Sequence, residues 1–176
     1  MVPVFLNIIL LFPLGLSSLL ILTIDLGSEL VPAISLAYEE AENAIMSRAP
    51  RNIHKDRMVT WQVLCHSYLF AGMMEGLFSI LAFFCVFWAN GVNLADLCFP
   101  DSRLFFSGSD APIFRSNGRD YSADEQTKIL SVGNSAVYAN IILCQMFHIW
   151  FCRTRATSVT QHPLFTNKLT LLAMPW

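Results

Sequence analysis

The chain has 176 residues, of which 55% are hydrophobic and 14% charged, and its mean hydropathy is +0.51. A soluble domain carries about 25% charged residues, so the composition excludes one and places the chain in a bilayer. The net charge of −2, with no clustered basic face, gives no basis for nucleic-acid binding.

A hydrocarbon core about 30 Å thick takes roughly 20 helical residues to cross. Measured against that length, residues 3–12 form a short helix, and Pro13, Gly15, Ser17 and Ser18 mark a turn over 13–18. A second helix is predicted over 19–38, a span over 63–88 and another over 132–152. Residues 169–176 are apolar but too few to cross. A cleaved signal peptide does not fit residues 1–24, which lack a basic start and a small-residue cleavage site and run too long. The expected fold class is an all-α membrane protein with the bilayer as its first partner.

Positive charge sets the orientation. Arg48, Arg51, Lys55 and Arg57 lie in the connector 39–62, and Arg153, Arg155 and Lys168 in the tail 153–168. In the loop 89–131, Arg103, Arg115, Arg119 and Lys128 face six acids. The connector and tail are therefore expected in the cytosol. The five cysteines show no metal-ligand or disulfide pattern; Cys65, Cys85, Cys144 and Cys152 fall in or beside spans, and Cys98 in a loop.

The chemistry concentrates in the helix over 19–38. Asp25, Ser28 and Glu29 are spaced three and four apart, which aligns their oxygens on one helix face. An acid at mid-span costs about 2.5–3.5 kcal/mol on insertion scales, so such residues face protein and mark ion or proton paths. Pro32 has no N–H to pair with the Ser28 carbonyl, and Gly27 loosens the backbone, so a broken helix is expected here. A freed carbonyl, a hydroxyl and two carboxylates can replace the water around a hard cation. The competing reading has Asp25 at the interface and Glu29 hydrogen-bonded within the protein.

The run from Asp25 to Glu42, D-L-G-S-E-L-V-P-A-I-S-L-A-Y-E-E-A-E, continues into Ile45-Met46 and Arg48-x-Pro50-Arg51-Asn52. It resembles the sixth transmembrane helix and following connector of the sodium/potassium- and proton/potassium-exchanging P-type ATPase α subunits. Pro3 to Ser18 resembles the end of the fifth helix. Tyr68, Gly72-Met73, Leu77 and Asn90-Gly91 resemble the seventh, and Gln145, Cys152-Arg153-Thr154-Arg155 and Ser158 the eighth. Asn167-Lys168 leads into a ninth.

The resemblance implies that Asp25, Ser28 and Glu29 ligate a monovalent cation, sodium or potassium, with Gln145, His148 and Glu75 as possible additions. Glu29 is a methylene longer than the sodium pump's Asp. His148 stands where relatives carry an Asp linked to a third sodium site, and Glu75 where they carry Gln, so a compensating Glu75–His148 pair is one expectation. Ser116, Gly118 and Tyr121 fall in a stretch where relatives read S-Y-G-Q-Q-W and contact a β subunit, which makes the loop 92–131 a candidate partner surface; a plain polar turn is the alternative. His162-Pro163 and Leu164-Phe165 read as a turn and juxtamembrane packing.

Relatives carry a D-K-T-G-T phosphorylation run and a nucleotide domain that these 176 residues do not contain. The chain is thus expected to be a membrane fragment of a sodium-exporting, potassium-importing pump, in the plasma membrane. It is not an enzyme as it stands and binds no cofactor, ATP and magnesium belonging to full-length relatives. The competing reading is a stand-alone small multi-pass membrane protein, regulatory or structural, or a degenerate copy.

Overall fold

The structure is a computed structural model that describes residues 18–39, 50, 52, 59–97, 105, 106, 108 and 110–152. The expected elements over 3–12 and 169–176, Cys98, the tail 153–168 and most of the connector 39–62 lie outside the described residues. Among the described residues three helices are long and apolar enough to cross a membrane: α1 (Ser18–Leu36), α2 (Trp61–Ala89) and, after the intervening loop, α4 (Ala123–Cys152). Between α2 and α4 come a short helix α3 (Leu94–Leu97) and a hairpin of strands β1 (Phe114–Ser116) and β2 (Arg119–Tyr121). The side chains are distributed inside out. Leu22, Leu26, Leu30, Val31 and Ile34 of α1 are exposed while Ser28 and Ser35 are buried. Water would oppose that arrangement and hydrocarbon favours it.

The chain divides into two units, residues 1–21 with 73–141, and residues 22–72 with 142–176. In the first, α2 buries Gly76, Ser79, Phe83 and Phe87, a stripe at helical spacing. α4 in turn buries Gln126, Ile129, Gly133 and Val137, and its Gly133 lies against Phe83 and Phe87 of α2. A Cβ on Gly133 would lie 3.1 and 3.2 Å from ring carbons of Phe83 and 3.2 Å from Phe87, so the glycine sets how closely the two helices approach. Gly133→Leu is expected to destabilise this unit by about 1–3 kcal/mol, the scale of overpacking, read as a lower unfolding temperature in detergent. Further along the seam, Asn140 Nδ2 donates to Ser79 Oγ at 3.1 Å, and Ser79 Oγ donates to the Glu75 carbonyl at 2.9 Å.

The start of α4 lies nine residues before the expected 132, because the apolar run underestimates the helix. Ser122 and Glu125 form a capping box: the Ser122 N–H donates to Glu125 Oε2 at 3.1 Å and the Glu125 N–H to Ser122 Oγ at 3.4 Å. Thr60 caps α2 from one side only, its hydroxyl accepting from the Val63 N–H.

The hairpin turns on Asn117 and Gly118, both with positive φ (51° and 76°), the two-residue turn that Asn-Gly favours. Its register pairs Phe114 with Tyr121 and Ser116 with Arg119. Across the strands Arg115 grips Asp120 at two points, the second from Nη2 to Oδ2 at 3.0 Å. The hydrogen bond from this guanidinium holds the Asp120 carboxyl below its usual range. A depressed carboxylate stabilises the fold above its unfolded pKa, so this solvent-screened contribution is lost as pH falls below about 4.

Candidate cation site

In α1 the helix does not break at Pro32. Ile24–Leu30 forms a π-helical segment between the α-helical Ser18–Thr23 and Val31–Leu36, and Leu30 and Val31 keep right-handed helical angles. This corrects the expectation of a broken helix. Pro32 lies in the first turn of Val31–Leu36, where a missing N–H deprives that segment of no bond, and the wider hydrogen-bonding step of the π segment absorbs the change of register. At the far end Ser35 Oγ donates to the Pro32 carbonyl at 2.6 Å. Such single π turns recur at functional sites.

The π turn holds all three of the residues expected to ligate a cation. Ser28 is 3% exposed, and among the described residues its hydroxyl has no hydrogen-bond partner. Asp25 and Glu29 lie at the surface of this chain. Ser28 is thus covered by this chain's own residues, whereas the two carboxylates lie on its surface.

Gln145, 116 residues away, reaches this turn. Its Nε2 donates to Glu29 Oε1 at 3.3 Å, which joins α4 to α1 within the second unit. His148, one turn further along α4, has its Nε2 3.4 Å from Cys152 Sγ. Glu75 lies in the first unit, half-buried one turn before Ser79. No three His, Cys, Asp or Glu side chains converge among the described residues, so a transition-metal cage is absent there. The groups present at this turn are hydroxyl, amide and carboxylate, donor types that suit hard cations in general.

A second π segment, His66–Ala71, lies in the first part of α2 and ends with the Gly72 N–H donating to the Ser67 carbonyl. The residues before it give no proline signal. Gly72 is its one marker, since a Cβ there would sit 3.3 Å from that carbonyl.

The residues expected to meet a β subunit are placed differently from one another. Ser116 and Tyr121 are each 2% exposed and hold the chain's own loop together. The Tyr121 hydroxyl donates to the Asn90 carbonyl at 2.9 Å, and Ser116 Oγ donates to Asp96 Oδ2 at 2.7 Å and accepts from the Asn93 N–H. Asn117 Nδ2 donates to the Gly91 carbonyl at 2.9 Å. These bonds close the C-terminal end of α2, where carbonyls lack helical partners. Gly118, at the tip, is exposed. A residue that sequence reasoning passed over, Gln126, is fully buried: it accepts from the Phe106 N–H and donates to the carbonyls of Pro112 and Tyr121.

Comparison with known proteins agrees with this architecture. The family described as cation transporting ATPase, C-terminus, matches residues 13–176. The rabbit (Oryctolagus cuniculus) potassium-transporting ATPase alpha chain 2 is 32% identical over 168 residues, covering 95% of this chain and 15% of the rabbit protein. The chicken (Gallus gallus) sodium/potassium-transporting ATPase subunit alpha-2 is 34% identical over 173 residues, covering 98% of this chain and 17% of the relative. The human subunit alpha-2 is 33% identical over 178 residues, with coverage of 98% and 17%. The chain thus spans about a sixth of the length of these relatives. With its membrane-compatible helices and its match across 13–176, this chain belongs to the cation-transporting P-type ATPase family, as the C-terminal transmembrane region of an α subunit.

Proposed function

We propose that the chain supplies part of the ion site of an ATP-driven exchanger that exports sodium and imports potassium across the plasma membrane. Ser28, Glu29 and Asp25 ligate the cation, and Gln145 positions the Glu29 carboxylate. The observation that carries this reading is the buried Ser28 hydroxyl, which has no partner among the described residues and adjoins a carboxylate held by a residue 116 positions away. A buried hydroxyl without a hydrogen bond is costly, and a bound cation would satisfy it. Alternating occupancy by sodium and potassium requires weak, adjustable oxygen ligands, which a π turn next to a proline supplies better than a rigid α-helix.

ATP hydrolysis and its magnesium belong to the remainder of the pump. A β subunit would meet the exposed Gly118 and Arg119 at the hairpin tip, since Ser116, Asn117 and Tyr121 already serve the internal clamp. The test is a chimera in which these 176 residues replace the matching segment of the rabbit potassium-transporting ATPase alpha chain 2. ATP-dependent rubidium uptake into membranes containing the chimera is the expected result. A chimera that reaches the membrane folded, yet neither binds nor moves rubidium, would count against the reading.

A further inference from the structure

We propose that His148 and Cys152, one turn apart on α4, form a two-ligand site for a thiophilic d10 cation, Zn2+ in the cell and Cd2+ as its probe. The two side chains lie four residues apart, the spacing that stacks neighbours on one helix face. Both are exposed in this chain, and His148 Nε2 stands 3.4 Å from Cys152 Sγ. A tetrahedral zinc with Zn–N of about 2.05 Å and Zn–S of about 2.3 Å holds its two donors about 3.5 Å apart. The observed separation is therefore close to the bite of the metal.

A thiol–imidazole hydrogen bond fits the same distance, and it is the state the metal displaces. On binding, the thiol proton leaves to solvent, the thiolate and the neutral imidazole each donate a lone pair, and water completes the coordination. Cys144 lies a further four residues back on α4, but no third His, Cys, Asp or Glu joins a cluster among the described residues, so the described residues supply two ligands. Soft sulfur beside imidazole selects zinc or cadmium over the hard sodium and potassium of the proposed transport site.

The binding site needs only these two side chains. One further step rests on the transport reading: a bound dication one helical turn from Gln145 would oppose potassium occupancy at Glu29. Direct titration keeps the two apart, because it reads binding without transport.

The experiment titrates the 176-residue chain in lipid nanodiscs with Cd2+, following the ultraviolet thiolate-to-metal charge-transfer band, and then displaces Cd2+ with Zn2+. A saturable site of one metal per chain is expected. His148→Ala should weaken it about tenfold or more, at least the scale seen when a supporting partner of a metal ligand is lost. Cys152→Ser should remove the band, and Cys144→Ser should leave it unchanged. Maleimide labelling of Cys152, located by peptide mass mapping, should be slowed by Zn2+ in the intact chain but not in His148→Ala, where the thiol remains. Equal Cd2+ affinity with and without His148, loss of the site in Cys144→Ser, or Cys152 labelling indifferent to Zn2+ in the intact chain would overturn the proposal.

Discussion

In a pump carrying this segment, Glu29→Gln is expected to lower apparent potassium affinity by about tenfold or more, equivalent to about 1.4 kcal/mol or more. The substitution keeps the volume and a carbonyl acceptor for Gln145 Nε2 but removes the charge, so folding should be nearly unchanged. Asp25→Asn should act in the same direction. Gln145→Leu removes the positioning bond, and its effect on potassium affinity should largely vanish in the Glu29→Gln background. Rubidium uptake as a function of rubidium concentration, compared across the two single variants and the double, reads this coupling. An affinity unchanged in Glu29→Gln would place the ion elsewhere.

The largest structural effect is expected at Gln126. Its side chain is fully buried and satisfies three backbone groups that are far apart in sequence, at Phe106, Pro112 and Tyr121. Gln126→Leu leaves one N–H and two carbonyls without these partners; the bonds at the Phe106 N–H and the Tyr121 carbonyl are buried, and each such group left unsatisfied costs about 1–3 kcal/mol. The loop should lose about 3 kcal/mol or more. The rings that continue from α2 into the hairpin, Phe83, Phe87, Phe106, Phe114 and Tyr121, with successive centroids 4.7 to 6.2 Å apart, would lose their common anchor. Hydrogen exchange at the Phe106 amide is the direct readout, because that N–H donates to Gln126 Oε1. Exchange as slow as in the parent chain would show that Gln126 is dispensable. Gln126→Glu keeps the acceptor at Phe106 but loses both donated bonds and buries a charge, so it should not rescue the loop.

How far these features could be read from the sequence depended on the range of the interactions behind them. The long helices were legible because an uncharged apolar run is a local property: the expectations at 19–38 and 63–88 lie within two residues of the helices Ser18–Leu36 and Trp61–Ala89. The start of α4 was missed because its signal is a capping box, Ser122-Ala123-Asp124-Glu125, in polar sequence ahead of the apolar run. The hairpin was also locally encoded, in Asn117-Gly118, yet two three-residue strands are too short for an alternation pattern to stand out. Pro32 correctly marked a perturbed helix. Whether the helix would break or widen depends on neighbouring hydrogen bonds that a residue pattern does not specify. Gln126 carries no such signal, since its partners lie 5, 14 and 20 residues away.

The site was legible in a different way. Asp25, Ser28 and Glu29 stand out on chemical grounds, because acids are costly in hydrocarbon. Gln145 entered only through resemblance to relatives, and its approach to Glu29 is a tertiary contact between α4 and α1. The inward orientation of Ser116 and Tyr121 was hidden for the same reason: a motif shared with relatives records residue types, not the direction each side chain takes. The His148–Cys152 pair drew no attention because four-residue spacing on a helix becomes chemically meaningful only when the rotamers bring nitrogen and sulfur together.

The most direct test of the central claim is anomalous scattering from rubidium in crystals of a pump that carries these 176 residues. A peak is expected within coordination distance, about 3 Å, of Ser28 Oγ and a Glu29 carboxylate oxygen, and it should be lost in Glu29→Gln. A rubidium peak remote from this turn, with Ser28 hydrogen-bonded to protein in the occupied state, would contradict it.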